Sequence, residues 1–135
     1  MGQPPIGPRR GHLFRRCLEQ VSVPGNSLWL TRLVTNLLDN AQRHARHAIG
    51  VRVYTDTERS EGVLEVHNDG NAIEPADRHR IFERFARLDD ARSREHGGAG
   101  LGLPIALDIA HHHGGTLTVV DSPHGATFQA RFPAR

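Results

Sequence analysis

The 135-residue chain contains no lysine; all 17 of its basic side chains are arginine. A P-loop needs a lysine at the β- and γ-phosphates, and the phosphate machinery of protein kinases needs another, so both nucleotide-binding classes are excluded. Schiff-base chemistry on a lysine amine is excluded with them. We read the absence as base bias of the genome, not as function. Cysteine is almost absent, and the single Cys17 rules out an internal disulfide and fits a reducing compartment. Aromatic residues make up 5% of the chain, and no apolar run approaches the length needed to span a bilayer. The N-terminus lacks the apolar core of a signal peptide. With a formal net charge of +2 and no basic block or stacking cluster, nucleic acid is not an expected partner. The expectation is a soluble, cytoplasmic, single-domain protein large enough for a real core.

Glycine, by contrast, is concentrated. Gly97-Gly98-Ala99-Gly100-Leu101-Gly102-Leu103 holds four glycines in its first six residues. It then runs into apolar positions at helical spacing: Leu103, Ile105, Ala106, Ile109 and Ala110. Glycine lets a ligand approach the main chain, and a helix N-terminus behind it favours phosphate. A flexible linker would not lead into such a periodic run. A dinucleotide fingerprint would need a third glycine where Leu103 stands, so that fold is excluded as well. The stretch reads as a nucleotide-phosphate loop of another kind.

The rest of the chain predicts a compact alternation of elements. Residues 1–25 form a lead-in, rich in proline and glycine up to Gly11, with a first strand near Cys17–Val23. Asn26 is placed to cap a long helix running to about Ala48. Strands are expected at Val51–Thr55 and Val63–Val66, then a turn at Asn68–Asn71. Pro75 opens a short helix ending near Phe85, and Asp89–Gly98 is a polar lid that nucleotide would order. A helix over Gly100–His112 and strands at Thr116–Asp121 and Ala126–Phe132 complete the domain, which spans 26–135. His111-His112-His113 suits a helix C-terminus capped by Gly114 better than a metal site, because no zinc-type ligand set accompanies it.

On a helical wheel at about 100° per residue, Leu30, Val34, Leu37, Leu38, Ala41 and Ala45 share one apolar arc. Asn36, Asn40 and Arg43 cluster within about 60° of one another on a separate polar face. An amide oxygen is a hard, neutral ligand suited to Mg²⁺, and arginine matches phosphate geometry. Plain solvation of that face is the alternative reading.

Five segments resemble the motifs of sensor histidine kinases, in that family's order. Residues 36–44, Asn-Leu-Leu-Asp-Asn-Ala-Gln-Arg-His, resemble the N box, and residues 66–73, Val-His-Asn-Asp-Gly-Asn-Ala-Ile, the first glycine box. Residues 81–89 look like the F box, Gly98–Leu103 the second glycine box, and Gly125-Ala126-Thr127-Phe128 the last. The resemblance covers about Asn26 to Phe132 and implies an α/β (α+β) two-layer sandwich of Bergerat type: a mixed sheet under helices, with an ATP lid.

The resemblance also implies roles. Asn40 matches the Mg²⁺ ligand and Asn36 the N-box asparagine near the reacting phosphate. Arg43 stands at a phosphate-side cation and His44 at a residue lying against the nucleotide. Asn68 occupies the position of the adenine-reading aspartate, and Ala72 replaces a glycine of that box. Asp69, Gly70 and Ile73 complete the implied base pocket; Gly98, Gly100, Leu101, Gly102, Leu103 and Thr127 the remaining nucleotide contacts. Arg87 matches the arginine that reaches the terminal phosphates, while Phe82 and Phe85 are read as packing residues. The implied activity is transfer of the γ-phosphoryl of Mg·ATP to a histidine on a dimerisation protein or domain, and through it to a response regulator. His12-Leu13-Phe14 does not fit a phosphoacceptor, so the chain is expected to be an excised or naturally separate catalytic half. A serine kinase of anti-sigma-factor type is the runner-up, disfavoured by the F box, and a nucleotide-binding regulator without transferase activity is a third reading.

Overall fold

A computed structural model describes residues 13–83 and 101–134 of the chain. The long helix α1 spans Ser27–His44. Asn26 starts it as expected: its backbone is extended and its side chain accepts from the Trp29 N–H at 3.0 Å. The helix stops at His44, short of Ala48, because Ala45 turns to extended dihedrals (φ −67°, ψ 142°). The next three N–H groups, which would have continued the helix, donate instead to the Asp69 carboxylate.

Around α1, in chain order, are strands β1 (Leu13–Leu18), β2 (Ala48–Asp56) and β3 (Glu61–Asn68), helix α2 (Gly102–His112), and strands β4 (Thr116–Val120) and β5 (Ala126–Pro133). Among the described residues they make one five-stranded sheet in the order β1-β2-β3-β5-β4. β1 runs parallel to β2 and the remaining pairs are antiparallel, so the sheet is mixed. The expected first strand at Cys17–Val23 is displaced to Leu13–Leu18. Val21 and Val23 do not pair; their side chains lie over Gly62, in the space a Cβ there would fill. The expected helix from Pro75 toward Phe85 is two short 3₁₀ turns, Pro75–Asp77 and Arg80–Phe82, within the described residues.

Both helices pack on one face of the sheet. Leu33, Leu37, Leu38 and Ala41 of α1 and Ala106, Ile109 and Ala110 of α2 meet Ile49, Leu64, Val66, Leu117, Val119, Phe128, Ala130 and Phe132. Leu33 is buried although the wheel reading omitted it, because α1 is covered by α2 as well as by the sheet. The opposite face is polar. Arg131 bonds Asp56 and Glu61 at 3.0 and 2.9 Å, while Glu65 accepts from Tyr54 and Gln129. The Arg131 guanidinium holds the Asp56 carboxyl below the usual carboxylate range, and the same carboxylates raise Arg131.

The two helices are tied end to end. The His113 Nδ1–H donates to the Ile109 carbonyl at 2.8 Å, leaving Nε2 to accept from the Asn26 N–H at 3.1 Å. Gly114 follows with φ +73°, the left-handed cap expected there, and the Gly115 N–H closes on the Ala110 carbonyl.

Candidate functional site

Asn36, on the polar stripe of α1, meets the start of α2. The Asn36 Nδ2 donates to the Gly102 carbonyl at 3.1 Å, so the N-box helix holds the glycine-fed helix by its first residue. Asn36 and Asn40, one turn apart, are half-buried, and Arg43 is exposed. The Asn40 and Arg43 side chains have no hydrogen-bond or ion-pair partner among the described residues. At the start of α2 the Ile105 N–H bonds back to Leu101, and Pro104 has no N–H. The Gly102 and Leu103 N–H groups are therefore left without an intrahelical acceptor. A Cβ added to Gly102 would meet nothing within 4 Å, so no described neighbour crowds that residue. Leu101 and Leu103 are half-buried beside it, and Leu103 packs against the core.

The carboxyl end of β3 supplies the second wall. Asn68 is buried, 2% exposed, and its Oδ1 accepts from the Gly70 N–H at 2.9 Å. Two glycines make the approach of neighbouring segments possible here. A Cβ on Gly70 would overlap the His44 carbonyl at the end of α1, and one on Gly125 (φ +76°) would overlap the Asn68 carbonyl. Ile73 is half-buried against the core below this end, and His44 is exposed in the last turn of α1.

Asp69, a nucleotide contact by the resemblance, has its carboxylate bonded to the backbone after α1. Its Oδ1 accepts from the Arg46, His47 and Ala48 N–H groups at 2.9, 3.0 and 3.1 Å, and its Oδ2 accepts from His47 at 3.2 Å. These bonds fix the α1–β2 turn. The backbone N–H groups of His47 and Ala48 are the leading cause of a carboxyl pKa far below the usual carboxylate range. The folded-state pKa is depressed, so the stabilisation is complete above the unfolded value near 4 and is lost as pH falls below it. Acid unfolding followed by circular dichroism is expected to show Asp69→Asn losing part of its stability at pH 7 while its profile below pH 4 flattens. An unchanged acid limb would mean that these bonds form equally well without the charge.

Thr127 is the other site candidate that the structure moves. β3 and β5 pair Asn68 with Ala126 and His67 with Thr127, so Thr127 lies on the opposite sheet face from Asn68. There its hydroxyl is 2.8 Å from the His67 Nδ1, beside a cavity of about 400 Å³ lined also by Arg15, Cys17, Arg52 and Glu65. The residue facing Asn68 is Ala126. The signal was in the chain: Ala126, Phe128, Ala130 and Phe132 alternate as the core face, which puts Thr127 outside it.

Gly98, Gly100, Arg87, Phe85 and the expected lid Asp89–Gly98 lie outside the described residues. Phe82 packs as expected, edge to face on Phe128 with ring centroids 6.2 Å apart. Among the described residues no three His, Cys, Asp or Glu side chains are grouped to hold a metal. A divalent cation at the Asn40 stripe would therefore rely on one amide oxygen and on oxygens of its nucleotide, which suits Mg²⁺. Of the described helices, none is long and apolar enough to cross a membrane.

The arrangement has known counterparts. The family described as histidine kinase-, DNA gyrase B- and HSP90-like ATPase matches residues 25–135. A probable sensor histidine kinase, TcrY of Mycobacterium tuberculosis, is 41% identical over 115 residues, covering 85% of this chain and 24% of that protein. This chain thus spans about a quarter of that relative's length. Among solved structures, a mycobacterial sensor histidine kinase, MprB, is 32% identical with a TM-score of 0.80, over 93% of this chain and 83% of the other. Full-length ShkA in complex with AMPPNP shares the fold, at 23% identity and a TM-score of 0.78 over 92% of this chain and 26% of its own.

Proposed function

The chain belongs to the histidine kinase-, DNA gyrase B- and HSP90-like ATPase family, and on that premise we propose that it transfers the γ-phosphoryl group of Mg·ATP to a histidine on a phosphoacceptor domain. The observation that carries this reading is the Asn36–Gly102 bond. It joins the α1 stripe, whose Asn40 and Arg43 have no partner among the described residues, to the N-terminus of α2, where a Cβ on Gly102 would meet nothing within 4 Å. Such a place offers N–H groups without an intrahelical acceptor, a positive dipole end and a guanidinium to a polyphosphate. The TcrY and MprB names support the histidine as acceptor, and the AMPPNP in ShkA supports the nucleotide.

In this reading Asn40 holds Mg²⁺ through its amide oxygen, and the ion supplies charge neutralisation at the phosphates. Asn36 orients the start of α2, whose Gly102 and Leu103 N–H groups cradle phosphate oxygens. Arg43, with Arg87, faces the terminal phosphates. Phosphoryl transfer needs little covalent help from the protein, so positioning and electrostatics are its contribution. Asn68, Gly70 and Ile73 take the base, with His44 at its edge. The attacking imidazole comes from a helical phosphoacceptor partner, which passes the group to a response regulator in the cytoplasm.

Incubation with γ-labelled ATP tests this directly. The chain alone is expected to label itself little. A helical partner carrying an acceptor histidine is expected to gain acid-labile, base-stable label. Acid-stable label would identify a serine kinase instead, and efficient self-labelling would overturn transfer to a partner. ATP binding with no transfer to any acceptor would leave the regulator reading.

A further inference from the structure

Asn68 is the buried polar side chain on the helix-facing side of the sheet at the end of β3, and its amide is only half used. The Gly70 N–H must have an acceptor, which assigns the oxygen of the amide to that bond at 2.9 Å. The Nδ2 group has no partner among the described residues, although the side chain is 2% exposed. A buried amide donor without an acceptor is unfavourable, and a ligand that supplies one gains by it. Its neighbours give no relief: Ala126 stands opposite in register, Val66 and Phe128 are apolar, and the Thr127 hydroxyl is on the other face.

We propose that Asn68 makes this site read the base through an amide, so that 6-oxopurine nucleotides bind about as well as adenine nucleotides. The inference rests on the nucleotide site described above. A carboxylate at this position could only accept, which fits the 6-amino group of adenine and repels the 6-oxygen of guanine or hypoxanthine. The amide offers one donor pair and a remaining oxygen lone pair. With its oxygen held on the Gly70 N–H, the amide keeps its Nδ2 donor for the base, and that donor can meet adenine N1 or the 6-oxygen of a 6-oxopurine. Each purine thus presents an acceptor to the Nδ2 donor, and the charge that would reject O6 is gone.

Titration calorimetry of the 135-residue chain with ATP, GTP and ITP at one Mg²⁺ concentration reads the selectivity. ITP differs from ATP only at the N1/C6 edge, and the GTP arm adds the 2-amino group. The three dissociation constants are expected to agree within about tenfold, whereas Asn68→Asp is expected to favour ATP over ITP by at least about tenfold more than the parent chain does. Circular dichroism confirms that the variant is folded, and the parent-chain comparison stands without it. A parent chain that prefers ATP over ITP by more than about tenfold would overturn this inference alone, as would a folded Asn68→Asp with an unchanged ratio. Failure of all three nucleotides to bind would overturn the nucleotide site and this inference together.

Discussion

Asn40→Ala is expected to remove the Mg²⁺ dependence of ATP binding and to lower phosphoryl transfer at least about 100-fold. Asn40 is half-buried on α1, one turn from the asparagine that bonds Gly102, and its side chain has no partner among the described residues. Its removal therefore costs the fold little. With no group of acidic or histidine ligands among the described residues to take over the ion, the loss should appear in the nucleotide site. Titration calorimetry with and without Mg²⁺ separates the two contributions: the parent chain should bind ATP more tightly with the ion, and the variant equally with or without it. A variant that keeps the parent's Mg²⁺ response would place the metal elsewhere.

Phe128→Ala should have the largest effect on stability. Phe128 is 2% exposed, sits in β5 opposite Val66, and meets Phe82 edge to face. Truncating a buried phenylalanine removes its transfer free energy and leaves a cavity the neighbours fill poorly, about 3–5 kcal/mol in total. For a domain of this size that lowers the melting temperature by on the order of 10–20 °C. The contrasting variant is Trp29→Ala. Trp29 is 52% exposed in the first turn of α1, and its loss should cost within about 1 kcal/mol. Thermal unfolding by circular dichroism compares them; similar melting temperatures would mean that Phe128 does not anchor the helices to the sheet. Phe128 also connects stability with function. It belongs to β5, whose first residue Ala126 pairs with Asn68 and follows Gly125 packed on the Asn68 backbone, so loosening it loosens the Asn68 end of the candidate site.

Much of the molecule could be read from its residues because the signals were local. Asn26 as a cap, the alternation in β5, Gly114 after α2 and the α1 polar stripe each depend on residues a few positions apart, where dihedral and side-chain periodicity act directly. The motif order added what no single spacing carries, the family and its nucleotide, and with them the sandwich architecture. The weaker readings were those in which a residue had two uses. Val21 and Val23 have a strand's alternation, yet they cover Gly62, because the glycine leaves a space that only distant side chains could fill. The helical pattern continues toward Ala48, but the Asp69 carboxylate, 21 residues beyond Ala48, takes the N–H groups on which another turn would depend.

The sequence by itself determined the class of protein and the faces of the long helix and last strand. Composition, periodicity and motif spacing are properties of the chain before it folds. Only the tertiary structure decided how those residues share their bonds. It joined Asn36 to Gly102 across 66 positions, turned Asp69 inward to hold a turn, sent Thr127 to the far face, and left Asn68 with a donor to spare among the described residues. Hydrogen-bond partners are chosen by which groups meet when strands pair and helices pack, and that choice is not local to any motif.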